Sequence, residues 1–169
     1  SSDVCSSDLD RCHLIVDYHK HLDAARESKK AGKIGTTKRG IGPAYEDRAS
    51  RRGLRVADLY NETAFEEKLK ENLAEKNFLL KEYYGVDPVS MERFMVKYQD
   101  IARRLKPFVR DVSAELFKAI DDNKKILYEG AQGVLLDVDY GTYPYVTSSQ
   151  TLPSQAALGL GARVPKDTL

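Results

Sequence analysis

Cysteine is scarce in this chain. Cys5 and Cys12 are the only two in 169 residues, and both lie near one end. Two thiols so placed make no disulfide framework, and a reducing, cytoplasmic setting is the default expectation. Histidine is nearly as scarce. His13, His19 and His21 cluster, but no Cys-x-x-Cys accompanies them, so they read as surface helix residues and not as a zinc site. No sign of charge dominates: 27 Lys and Arg against 26 Asp and Glu leave a formal net charge of +1. That balance argues against a general nucleic-acid coat or a membrane-surface role. No apolar run approaches the roughly 20 residues that span a bilayer, and no cationic stretch leads into an apolar one, so no secretion signal is expected. Repeats and low-complexity tracts are also missing. What is present, 41% apolar and 31% charged residues, suits one soluble globular domain or a large part of one.

Residues 1–9 repeat Ser-Ser-Asp without a helical or strand period. They read as a non-native scar, with a native polar loop as the alternative. The chain stops at Asp167-Thr168-Leu169 without tail composition, so both ends read as cut.

The run His13-Leu14-Ile15-Val16 suits a buried strand. Asp17 is placed to cap a helix with Leu22, Ala24 and Ala25 on its apolar face and Gly32 as its stop. A loop dense in Gly, Thr, Lys and Arg follows, from Gly32 to Gly42. Pro43 fits the first turn of the next helix, which should reach about Arg52 with Gly53 as its left-handed terminator. Thr63 and Glu66 have capping-box spacing. Phe65, Leu69, Leu73, Leu80 and Tyr84 then recur at helical intervals as far as Gly85. Asp87-Pro88 marks a turn and Ser90 a cap. Phe94, Tyr98, Ile101, Leu105 and Phe108 alternate steps of four and three, an apolar stripe. Pro107 breaks that helix or starts another, and Val112, Leu116 and Ile120 continue an apolar face. Residues of about 58–122 thus form a helical subdomain whose aromatics are core. Residues 125–129 look like a strand ending at Gly130. Residues 134–137 suit a short helix or a second strand, and 143–147 a further strand interrupted near Pro144. The sum is an α/β sheet with a helical excursion.

The loop from Gly35 to Pro43 combines glycines, hydroxyls, Lys38 and Arg39 with a helix N-terminus. Each favours a phosphate or carboxylate, although a flexible surface loop is the plainer reading. It is not a Walker A loop, because no Gly-Lys-Ser/Thr closes it. Arg48, Arg51, Arg52 and Arg55 follow, either as a solvated basic face or with one guanidinium on a phosphate. Gln132 sits after an expected strand end, where α/β folds gather ligands, and its amide can read a base or sugar edge. Glu129 is a candidate acid or base, or a structural carboxylate. Thr147, Ser148 and Ser149 add hydroxyls.

The stretch Gly35-Thr36-Thr37-Lys38-Arg39-Gly40-Ile41-Gly42-Pro43-Ala44-Tyr45-Glu46-Asp47, followed by Arg51-Arg52-Gly53-Leu54-Arg55, resembles the signature of adenylosuccinate synthetase, with Lys38 where that family often has Gly. Tyr128-Glu129-Gly130-Ala131-Gln132-Gly133, Leu135-Leu136-Asp137 and the run Gly141 to Ser149 are similar to its second signature. The resemblance covers about His13 to Gly161, although residues 150–161 depart from the family's pattern. It implies a P-loop-NTPase-like, mostly parallel sheet with an inserted helical subdomain, residues 10–169 being part of that domain. It implies a ligase that joins IMP and L-aspartate with GTP and Mg²⁺ in purine synthesis. By motif position, Thr37, Arg51, Gln132 and Thr147 would contact IMP, Arg51 across a homodimer interface, and Arg39 would help hold aspartate. The family's general base, its catalytic histidine and its main GTP and Mg²⁺ residues have no counterpart here. The chain alone is therefore expected to be inactive, with no catalytic or metal-ligating residue of its own. A different class of reading is a non-catalytic module binding RNA or another polyanion through Arg48 to Arg55. The near-neutral charge counts against it. A third is a fragment that cannot fold, its sheet edges left bare.

Overall fold

The computed structural model describes residues 8–29 and 35–161. The chain divides into two compact units: Arg11–Pro107, and Ser1–Asp10 together with Phe108–Leu169. Most of the suspected scar at 1–9 lies outside the described residues.

In the Arg11–Pro107 unit the strand expected at 13–16 is reduced to one antiparallel bridge between His13 and Arg55. Leu14 N–H donates to Leu54 O at 2.8 Å and Val56 N–H to Cys12 O at 2.9 Å. The ladder stops there because Val16 O already accepts from His19 N–H at 3.0 Å, which starts a helix. That helix, α1, spans Asp17–Lys29 and buries Tyr18, Leu22 and Ala25. Its expected stop at Gly32 lies outside the described residues. Helix α2, Ile41–Ala49, holds Pro43 in its first turn, where a missing N–H breaks no bond. It ends sooner than expected. The left-handed residue after it is Arg51, at φ 64°, and not Gly53. Asp47 O accepts from both Arg52 N–H (2.9 Å) and Gly53 N–H (3.0 Å), which closes the turn early.

Helix α3 spans Glu62–Phe78. Its cap is Asn61, whose Oδ1 accepts from Ala64 N–H at 3.2 Å, and not the Thr63–Glu66 box. Asparagine is among the strongest N-caps, so the backbone begins its helix two residues earlier. Asn61→Ala is expected to cost about 1 kcal/mol, read as a lower urea midpoint at unchanged m-value. The helix then widens into a π-helical stretch, Leu79–Tyr84, and ends at Gly85, φ 67°. Asn77 ties the next loop down by accepting from Val89 N–H (2.8 Å) and donating to Val89 O (2.9 Å). Ser90 caps α4, Met91–Leu105. Phe65, Leu69, Leu73, Leu80, Phe94 and Tyr98 form the core with Val16, Tyr18, Leu22, Ala25 and Leu54. Phe94 and Tyr98 stack with centroids 4.1 Å apart. Phe108 leaves the expected stripe. The 3₁₀ turn Lys106–Phe108 at Pro107 ends the helical register, and Phe108 is exposed.

In the other unit, β1 (Asp8–Leu9) pairs in parallel with β2 (Val109–Arg110), with Asp8 opposite Val109. Helix α5, Val112–Asp121, is capped by Asp111, which accepts from Ala114 N–H at 3.0 Å. Val112, Leu116 and Ile120 are half-buried. The strands expected at 125–129 and 143–147 do not form. Residues 125–129 carry no regular structure, and Leu127 is 89% exposed. The 143–147 backbone turns most of its N–H groups inward: Tyr143 donates to Gly141 O, Tyr145 to Thr142 O and Thr147 to Leu136 O, all at 2.9 Å, which holds the segment in turns and not in a ladder. Val134–Leu136 is a short 3₁₀ helix and α6 covers Gln155–Leu160. The described chain is thus helix-rich with α/β character, its one sheet being β1–β2. No described helix is long and apolar enough to cross a membrane.

Candidate functional site

The loop before α2 lies on α1. Gly35 N–H donates to Glu27 Oε1 at 2.8 Å and Gly40 N–H to Asp23 Oδ2 at 2.9 Å, and both accepting carboxylates are buried. Two glycine amides that sequence reasoning aimed at an anion are therefore occupied by the chain's own acids. The exposed groups left to meet a ligand are the side chains of Thr36, Thr37, Lys38 and Arg39. Lys38 sits at φ 54°, a left-handed conformation that glycine adopts at little steric cost.

Arg51 is exposed and lies past the far end of α2. Nine helical residues rise about 13 Å, so the backbone of Arg51 lies about a helix length from the loop that carries Thr37 and Arg39. The other arginines are partly engaged. Arg52 pairs with Glu75 of α3, and Arg48 lies 5.8 Å from the centroid of the Tyr45 ring. Burial, then the charges of Arg55 and Arg48, push the His13 imidazole below its ordinary pKa.

Beneath this surface is a polar network that the sequence did not reveal. His19, expected on the surface, is 1% exposed. Its Nδ1 accepts from Val16 N–H at 3.0 Å. That leaves Nε2 as the protonated nitrogen, donating to Asp47 Oδ2 at 2.9 Å. Tyr18 OH donates to the same oxygen at 2.9 Å. Lys76 Nζ lies 2.9 Å from Oδ1 as an ion pair, off the line of a hydrogen bond. Burial raises the Asp47 pKa, but the His19 bond, the Lys76 ammonium and the Tyr18 bond outweigh that and hold it at about 2. Burial and the neighbouring Asp47 carboxylate push the Tyr18 phenol up. Asn72 Nδ2 donates to Tyr18 OH at 3.3 Å and to Arg52 O at 3.0 Å. The network ties α1, α2 and α3 together. Its only sequence signal was an acid, Asp47, one turn after Ala44 on the helix's apolar side. The three histidines do not converge: His19 is buried, His21 exposed and His13 beside Arg55. No group of three His, Cys, Asp or Glu suited to a metal occurs among the described residues.

In the other unit, residues 133–151 fold around Asp137. Its Oδ1 accepts from Asp139 N–H (2.9 Å) and Tyr140 N–H (3.1 Å), and its Oδ2 from Thr151 N–H (2.6 Å). These donors, Thr151 first, hold the carboxyl below its usual range. Gly141 closes the loop. A Cβ there would stand 2.4 Å from the carbonyl oxygens of Leu135 and Asp137. Gln132, exposed at φ 76°, precedes the 3₁₀ turn, and half-buried Thr147 bonds back to Leu136 O. Thr147 is thus bonded into the folded loop, and Gln132 lies immediately before it in the chain. Ser149 Oγ donates to Thr147 Oγ1 at 3.4 Å. Glu129 is exposed, on the unstructured approach to this loop.

A family model described as adenylosuccinate synthetase matches residues 7–168. The chain belongs to the adenylosuccinate synthetase family. The adenylosuccinate synthetase of Polynucleobacter necessarius is 53% identical over 149 residues, covering 88% of this chain and 33% of that protein. That of Geotalea daltonii is 53% identical over 156 residues, covering 92% and 36%. The structure of fully ligated adenylosuccinate synthetase from Plasmodium falciparum matches with a TM-score of 0.82 at 34% identity, over 92% of this chain and 36% of that one. The chain thus spans about a third of the length of these synthetases. Both signature stretches fall inside the matched region, one in each unit.

Proposed function

We propose that this chain is the IMP-contacting segment of an adenylosuccinate synthetase, the cytoplasmic GTP-dependent ligase that joins IMP and L-aspartate. The family match over residues 7–168 carries the reading. Thr37 meets the IMP phosphate from the loop before α2, and Arg39 beside it holds aspartate. Gln132 reads the base or ribose, and Thr147 offers its hydroxyl to the phosphate. Arg51, a helix length away from Thr37, serves the IMP of a second subunit, which makes the working form a homodimer. The short parallel pair β1–β2 is part of a larger, mostly parallel P-loop-NTPase-like sheet. The family's GTP and Mg²⁺ are held mainly by parts of the synthetase outside this chain, a reading supported by the chain spanning only about a third of its relatives' length.

The 169-residue chain alone is expected to release no phosphate or GDP in the presence of GTP, IMP and aspartate. Turnover requiring both IMP and aspartate would overturn that. IMP should protect the chain against thermal unfolding, and Thr147→Val and Gln132→Ala should abolish the protection. Indifference to IMP combined with RNA binding of steep salt dependence would favour a polyanion-binding module. With Arg52 paired to Glu75, fewer free charges remain for such binding.

A further inference from the structure

We propose that Asn72, on α3, is a positioning residue for Arg51. The proposal rests on the reading of Arg51 as an IMP contact. Arg51 occupies the left-handed region at φ 64°, which is disfavoured for a side chain with a Cβ, so the turn must be held. Part of the hold is local: Arg51 N–H donates to Arg48 O at 3.1 Å, and Arg52 and Gly53 N–H donate to Asp47 O. Any helix end can make such bonds. The tertiary hold is Asn72. Its Nδ2 donates to Arg52 O at 3.0 Å while also reaching Tyr18 OH, and the side chain is 2% exposed. Glu75, three residues along the same helix face, takes the Arg52 guanidinium. Arg52 is thus fastened to α3 through both main chain and side chain. Its neighbour Arg51 is exposed and has no side-chain hydrogen bond or ion pair among the described residues. One arginine serves as a tether and the adjacent one is aimed outward. Releasing the tether lets the turn relax out of the left-handed region and swings Arg51 away from its ligand.

The kinetics are read in a complete synthetase that carries this segment. Asn72→Leu keeps the side-chain volume and removes the donor. It is expected to raise KM for IMP about tenfold, with kcat within about twofold and KM for GTP unmoved. In an Arg51→Ala background the same change should add nothing, because Asn72 acts through Arg51. Tyr18→Phe, which weakens the same buried network without touching Arg52, should lower stability and leave KM for IMP unchanged. If Asn72→Leu fails to fold, Glu75→Gln tests the exposed half of the tether and should raise KM for IMP less, again only when Arg51 is present. KM unmoved in these variants, or raised by the same factor with and without Arg51, would overturn the proposal. Arg51→Ala leaving KM for IMP unchanged would instead remove the reading beneath it.

Discussion

Asp47→Ala is expected to destabilise the Arg11–Pro107 unit by about 3–5 kcal/mol, the usual cost of breaking a buried ion pair from one side. The carboxylate is 1% exposed, and its removal strands Lys76, itself 5% exposed, along with the His19 and Tyr18 donors. Glu75 Oε1, 3.5 Å from Lys76, offers only partial replacement from a half-exposed position. The urea midpoint should fall by the corresponding amount with the m-value held. A midpoint within about 1 kcal/mol of the parent would show that the network is not the tether described. The same carboxylate sets an acid limit. Its folded pKa, about 2, lies below the ordinary 3.8. The unfolded chain therefore binds the proton first as pH falls. The stabilisation is complete above about pH 4 and is lost as pH drops through 2. A shift of this size corresponds to about 2 kcal/mol. The parent should lose stability steeply between pH 4 and 2, and Asp47→Ala should flatten that limb.

Much of the helical unit could be read from periodicity. Phe65, Leu69, Leu73, Leu80, Phe94 and Tyr98 were expected in the core because they recur at helical spacing, and all are buried. Gly85 and Ser90 were legible because each does something only a few residue types do well. The failures share a cause. A strand depends on partners that local sequence does not encode, so 13–16, 125–129 and 143–147 looked like strands and became a bridge, an irregular stretch and a turn-rich loop. Arg51 displaced Gly53 as helix terminator because Asp47 O closes the helix locally on the Arg52 and Gly53 amides while Asn72, twenty positions away, holds Arg52 O, a contact invisible in spacing. The loop at Gly35 was recognised as polar and glycine-rich. That Asp23 and Glu27 would take its amides depended on how α1 lies against it. His19 misled for the same reason. Its partner Asp47 is 28 positions away, and nothing in a cluster of three histidines says which of them faces inward.

Gly40→Ala is expected to cost about 2–4 kcal/mol, combining left-handed backbone strain of about 1–2 kcal/mol with an overpacking penalty of similar size. Gly40 sits at φ 82°, and a Cβ there would lie 2.8 Å from His19 C, His19 Cβ and Lys20 N. Two of those atoms are backbone of α1 and the third is fixed by the buried imidazole, so no flexible side chain can move aside. Either the loop lifts away from α1 or the helix shifts. In the first case the bond from Gly40 N–H to Asp23 is lost and the buried carboxylate is left without that donor. The two routes differ in what they spare. Lifting the loop displaces Thr37 and Arg39 while the His19–Asp47 network survives. The acid limb between pH 4 and 2 should then persist in Gly40→Ala even as IMP protection is lost. Shifting the helix pulls His19 from Asp47, and both should vanish together. Gly35→Ala is the control, since it shares a positive φ of 81° but has nothing within 4 Å of the added carbon. It should show only the strain, about 1–2 kcal/mol. Equal losses in the two variants would mean that backbone conformation alone, and not the close seat of the loop on α1, makes Gly40 necessary.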